Sequence, residues 1–293
     1  MRINSETDVS AFCAKETEVH EKMIPVTDHV YLKVITFIPV KETSQPPVLF
    51  VAGLISQITG WKEVLREMTK DFTVHYVETR EKASSVVKGK VRYNIEEIGR
   101  DLVSLTSLLD LQPKEYILFG SSLGATAILD SCRFIEKDPL CLVLIGPNAE
   151  FRIPKWSYPI LWFFPPRLYL LIKPVIRWYL RTFEVDMKSD SAQYEKYSGI
   201  LDVADPWKLK KIAFPLARYN VWDRLDDVRC PTLIIGASKD IMHIPENILK
   251  MVDRIKDATY IDLETNSLTH SAGMVQEVRK YVNNLKKGKV HGK

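Results

Sequence analysis

The feature that most constrains this chain is an alternation. Short apolar runs take turns with amphipathic helical patterns from residue 30 to residue 285. Residues 30–40, 47–51, 73–77, 116–119, 140–145, 232–235 and 258–263 read as strands, several of them apolar at every position. Between them, residues 61–72, 94–111, 122–135, 245–255 and 272–285 read as helices. The clearest is 94–111, where Ile95, Ile98, Leu102, Leu105 and Leu109 recur at helical spacing, and Asn94 with Glu97 resembles a capping box. Fully apolar strands alternating with helices predict a mostly parallel sheet flanked by helices, an α/β fold.

The alternation breaks once, from about residue 150 to residue 230, and then resumes. That divides the chain into a core of residues 1–149 and 231–293 and a helical cap of residues 150–230 inserted after a central strand. An insertion there sits above the carboxyl ends of the strands, where open α/β sheets bind ligands.

Gly120-Ser121-Ser122-Leu123-Gly124 fits G-x-S-x-G between an apolar strand and an apolar helix. A serine on so tight a turn exposes its hydroxyl, and the flanking glycines leave room for the turn and for close helix–strand approach. A nucleophilic serine needs a base, and the base an orienting acid. Asp240 follows the strand 232–235, and His270 follows the last strand. Both lie beyond strand carboxyl ends, where one sheet edge gathers them with Ser122. His243 is a rival base, and Asp223, Asp226 and Asp227 are rival acids. The expected oxyanion donors are the backbone N–H groups of Leu123 and of Leu54, which follows Gly53 on the loop after an early strand.

These residues together resemble the α/β-hydrolase superfamily, in its serine-nucleophile esterase, lipase and thioesterase branch with a helical lid. The likeness runs from about residue 30 to residue 285. Glu78-Thr79-Arg80-Glu81-Lys82-Ala83-Ser84-Ser85 stands where that family has a D-x-R-G-x-G-x-S loop, and residues 231–240 are similar to its late strand and acid. The resemblance implies Ser122 as nucleophile, Asp240 as acid and His270 as base, and no cofactor or metal. It departs from the family at Ala52-Gly53 for His-Gly, at Ser121 and Ala125 in the elbow, and at Thr269 before the histidine.

Residues 151–183 contain no Asp or Glu but six Lys or Arg, and ten of the 33 are aromatic. Three readings fit: a hydrophobic lid, a peripheral membrane contact, and an acyl-CoA entrance. Each favours an apolar acyl or aromatic substrate, with Trp156, Trp162 and Phe163 as candidate pocket residues. The expected activity is hydrolysis of a carboxylic ester. Thioester or carbon–carbon bond hydrolysis on the same triad is the alternative, and a hydrolase-fold binding protein or receptor is the alternative of another class.

Lys+Arg 41 against Asp+Glu 37 gives +4, too small a surplus for a dedicated nucleic-acid binder. The four cysteines form no C-x-x-C pair and read as buried free thiols. No secretory signal and no run of about 18 apolar residues is visible. The expected location is the cytoplasm, with peripheral membrane association left open.

Overall fold

The structure, a computed structural model, describes residues 9–151, 158–163, 165–166, 174, 205–239 and 245–288. Nine strands form one sheet: β1 (Thr17–Thr27), β2 (Val30–Pro39), β3 (Val48–Val51), β4 (Val74–Glu78), β5 (Val86–Val87), β6 (Ile117–Ser121), β7 (Cys141–Ile145), β8 (Thr232–Gly236) and β9 (Ala258–Asp262). Their order is β1-β2-β4-β3-β6-β7-β8-β9, with β5 pairing β2. From β4 to β9 every pairing is parallel, and β2 joins β4 antiparallel. The helices of the described residues are α1 (Lys62–Met68), α2 (Ile95–Leu108), α3 (Leu123–Ser131), α4 (Tyr158–Phe163), α5 (Pro206–Leu216), α6 (Pro245–Arg254) and α7 (Ala272–Lys286).

The central strands are apolar at successive positions because both faces are covered. Leu49, Val51, Leu118, Leu142 and Leu144 face the core formed with α2 and α3. Val48, Phe50, Phe119, Val143 and Ile145 face the opposite core, closed by α1 and α7. Each such side chain contributes about 1.5–3 kcal/mol when fully buried, so the central strands carry much of the driving force for folding. Phe50 stacks on Phe119 at 4.4 Å, and Trp61 meets Phe50 edge-on at 4.9 Å.

The expected strands and helices are present, with several differences, among them the short strand β5, which the pattern did not mark. β1 is an edge strand that the apolar pattern did not mark, because most of its side chains face solvent. The region expected as a helix at 61–72 begins as a 3-10 turn at Ile58–Trp61 and becomes α-helical only at Lys62. The helix after Ser122 ends at Ser131. Asn94 does cap α2, its side chain accepting from Glu97 N–H at 3.1 Å. The Glu97 carboxylate meanwhile faces Arg80 at 3.4 Å.

The loop 78–85 is a buried polar knot. Arg80 is fully buried and donates to both carboxylate oxygens of Asp101 at 2.7 Å, and to Arg92 O at 2.7 Å. Burial pushes the Asp101 carboxyl up against the pull of Arg80. The Ser85 hydroxyl donates to Glu78 O and accepts from Lys33 N–H. On α5, Lys208 Nζ donates to the carbonyl oxygens of Lys82 and Ser85 at 2.6 Å each. Burial pulls its ammonium below the ordinary lysine range. The four cysteines are buried thiols outside any disulfide.

His75 on β4 sits opposite Thr36 of β2, with Nδ1 3.0 Å from the Thr36 hydroxyl. Burial lowers its pKa from 6.5 to about 4. The unfolded ring therefore takes up a proton between pH 6.5 and 4 while the folded ring stays neutral, and stability falls as pH drops through that window. Urea unfolding at pH 7 and pH 4.5 will show this loss, with His75 contributing up to roughly 3 kcal/mol. His75→Asn will flatten the pH dependence.

Candidate active site

The site is built at the carboxyl ends of β3, β6 and β9. Ser122 links β6 to α3 with φ 50° and ψ −115°, a conformation that L residues rarely adopt. Two close approaches force it. A Cβ on Gly124 would lie 2.1 Å from Val51 O, and one on Gly120 would lie 2.7 Å from Ala125 N. Glycine is thus required on either side of the serine, and α3 seats flush on the ends of β3 and β6. Ser122 N–H donates to Ile145 O at 2.9 Å, tying the turn to β7.

The loop after β3 lies against the serine. A Cβ on Gly53 would be 3.2 Å from Ser122 Cβ and 3.9 Å from Oγ. Ser56 N–H turns back to Gly53 O, and Ile55 carries a positive φ of 54°. The backbone hydrogen bonds of the described residues take up Ser122, Ser56 and Thr126 N–H, and none takes up the N–H of Leu54 or of Leu123. Leu123 opens α3, so its N–H lies at the positive end of that helix.

His270 ends the 3-10 turn Leu268–His270, between β9 and α7. Its Nδ1 lies 3.0 Å from Asn266 O and 3.1 Å from Thr269 Oγ1. A carbonyl oxygen only accepts, so in the neutral ring Nδ1 carries the proton and Nε2 is the acceptor. The ring lies on Trp61, centroid to centroid 4.2 Å. Trp61 Nε1 donates to Ser56 Oγ at 3.0 Å, so one indole connects the histidine to the loop beside the serine.

Two further contacts went unread in the sequence. Asn148, on the loop after β7, donates from Nδ2 to Ser122 Oγ at 3.1 Å. No pattern marks a lone Asn in Gly146-Pro147-Asn148-Ala149. Trp61 is separated from His270 by more than two hundred residues, which no local signal bridges.

Asp240, His243 and Trp156 lie outside the described residues, as does most of the segment 151–183. The approach to Asp240 is described: Asp262 Oδ1 accepts from Ser238 N–H at 2.9 Å and from Glu264 N–H at 2.8 Å, fixing the loop after β8 against β9. Those hydrogen bonds hold the Asp262 carboxyl below its ordinary range, the Ser238 contact most of all. Among the rival acids, Asp226 pairs with Arg254 at 3.0 Å on the surface. Trp162 and Phe163 lie on α4, 64% and 78% exposed, and the Trp162 ring meets Phe214 of α5 at 5.6 Å.

A cleft of about 960 Å³ at the amino ends of β7 and β8 is lined by Arg100, Arg133 and Arg229. Each of these arginines is already paired with a carboxylate, and the cleft is at the wrong end of the strands for Ser122. Among the described residues, no group of three or more His, Cys, Asp or Glu is placed to hold a metal ion.

This arrangement is the α/β-hydrolase fold. Solved structures similar to it include a thermophilic esterase from Thermogutta terrifontis, at 19% identity over 92% of this chain and 99% of that one, with a TM-score of 0.70. An enol-lactonase from Burkholderia xenovorans is 17% identical over 88% of this chain and 97% of that one, with a TM-score of 0.69. An N-formylmaleamic acid deformylase from Pseudomonas putida S16 is 19% identical over 89% of this chain and 100% of that one, with a TM-score of 0.66. No family model matches the sequence, and no curated protein matches it closely enough to count as a relative.

The elbow packing has a direct test. Gly124→Ala drives a methyl into the Val51 carbonyl and will cost about 4 kcal/mol or more, read as a large drop in thermal midpoint or loss of soluble protein. Gly273→Ala in the first turn of α7, where the nearest neighbour is Ser271 Oγ at 3.4 Å, will change the midpoint little.

Proposed function

We propose that this protein is a serine hydrolase that cleaves a carboxylic ester with an apolar acyl or aromatic group. The observation that carries the reading is Ser122, held at positive φ between β6 and α3. A backbone conformation of this kind costs of order 1–3 kcal/mol and persists where the surroundings over-determine it. Holding a serine there presents its hydroxyl at the end of a parallel sheet, beside the glycine of the loop after β3. That the similar structures include an esterase and an enol-lactonase supports the same class of chemistry.

In this reaction His270 Nε2 takes the Ser122 proton as Oγ attacks the ester carbonyl. The oxyanion is received by the N–H groups of Leu54 and Leu123, which no described hydrogen bond occupies. The protonated imidazole then gives its proton to the leaving alcohol, and water releases the acid by the reverse sequence. Asp240 is the acid that orients the imidazole and balances its positive charge. Trp61 adds an electron-rich face beneath the ring, which favours the charged form as it appears. No cofactor takes part in this scheme.

The cap also supports a peripheral membrane contact. Trp162 and Phe163 of α4 and Trp207 of α5 are each exposed, and exposed aromatic side chains suit the headgroup layer.

Hydrolysis of a p-nitrophenyl ester series from acetate to palmitate tests the activity. Ser122→Ala will lower the rate at least ~10³-fold and abolish labelling by a fluorophosphonate. The chain-length optimum will lie above acetate. Wild-type protein that neither hydrolyses esters nor takes the label would instead be a binding protein on a hydrolase fold. Co-sedimentation with anionic vesicles tests the surface separately: Trp162→Ser with Phe163→Ser will reduce it several-fold and Ser122→Ala will leave it unchanged. Equal binding by all three proteins sinks the membrane contact.

A further inference from the structure

We infer that Asn148 is a further catalytic residue, one that donates a hydrogen bond to the attacking oxygen itself. The inference rests on the reading of Ser122 as nucleophile and extends it to a group outside the triad and the oxyanion donors. Asn148 Nδ2 lies 3.1 Å from Ser122 Oγ, the atom that must shed a proton and attack.

The amide is aimed there by its backbone. Asn148 N–H donates to Thr126 Oγ1 at 3.0 Å. The Thr126 hydroxyl lies 3.0 Å from Asn148 O and 3.1 Å from Ser122 O, and donates to one at a time. One threonine on the first turn of α3 therefore holds the backbones of the asparagine and of the serine together. On the far side, Val221 N–H donates to Ala149 O at 2.8 Å, and Glu150 bridges Asn220. The segment is pinned from both ends, with the side chain half-buried between them.

The chemistry follows from what an amide N–H can do. Because Nδ2 donates, it occupies a lone pair of Oγ and leaves the hydroxyl proton free to go to His270 Nε2. As that proton leaves, negative charge grows on Oγ, and a donor already in place stabilises it without reorganisation. Oγ then bonds to the carbonyl carbon and its charge passes to the carbonyl oxygen. The same donor helps again in deacylation, when the Oγ–carbon bond breaks and Oγ regains its proton from the imidazolium. A carboxylate in this place would do the opposite, accepting the hydroxyl proton and repelling the charge.

The test is the second-order rate constant for labelling of Ser122 by a fluorophosphonate, which needs no knowledge of the substrate. Asn148→Ala keeps the backbone bonds to Thr126 and will react ~10-fold or more slowly, with its thermal midpoint within a few degrees of wild type. Asn148→Asp, of the same shape, will be slower still at pH 8. The ratio of the Asp to the Ala variant will rise as pH falls, because a protonated carboxyl becomes a donor. A side chain that only braces the fold would lower the midpoint and leave that ratio flat. Labelling of Asn148→Ala within two-fold of wild type at every pH overturns the assignment alone. A wild-type protein that takes no label overturns the nucleophile reading, and the Asn148 assignment with it.

Discussion

The arrangement depends on one point of contact, the carbonyl of Val51 against the α-carbon of Gly124. No side-chain atom fits between them. That closeness lets α3 lie directly on the carboxyl ends of β3 and β6, and it brings the loop after β3 against the turn that carries Ser122. The serine and the two candidate oxyanion amides thereby become parts of one rigid corner. Looser packing at this contact would let the serine and those amides shift apart.

Around that corner the molecule uses apolar and polar material differently. The strands carry an aromatic and aliphatic core on each face, and this is where the folding free energy lies. The buried pair of Arg80 and Asp101 belongs to another category. Removing two charges from water costs about as much as their attraction returns, so the pair adds little net stability. Its fixed fork geometry instead sets how the loop after β4 meets α2. Removing Arg80 would leave the buried Asp101 carboxylate without its counterpart, whereas removing Asp101 would leave Arg80 the longer Glu97 contact.

How much of this was legible in the sequence depends on the range of each interaction. The central strands could be read because burial on both faces makes them uniformly apolar. Ser122 could be read because the two close approaches that create the elbow demand glycine at fixed offsets. Asn94 could be read as a cap for the same local reason. β1 could not, because an edge strand with exposed side chains lacks both the continuous run and the clean alternation. Asn148 and Trp61 could not, because each is defined by a partner brought close only by the sheet. In the loop 78–85 the position of Arg80 was visible from its likeness to a known pattern, but its partner Asp101 on α2 was not.

The attachment of α5 to the core has an evolutionary side. Lys208 reaches across to two carbonyl oxygens, those of Lys82 and Ser85. Main-chain oxygens are the same whatever residue bears them. This hydrogen-bonded part of the attachment therefore depends on the path of the loop. The rest of the attachment does depend on identity: Ile212 and Leu216 of α5 enter the apolar core, and Lys211 lies over the Tyr93 ring at 5.2 Å.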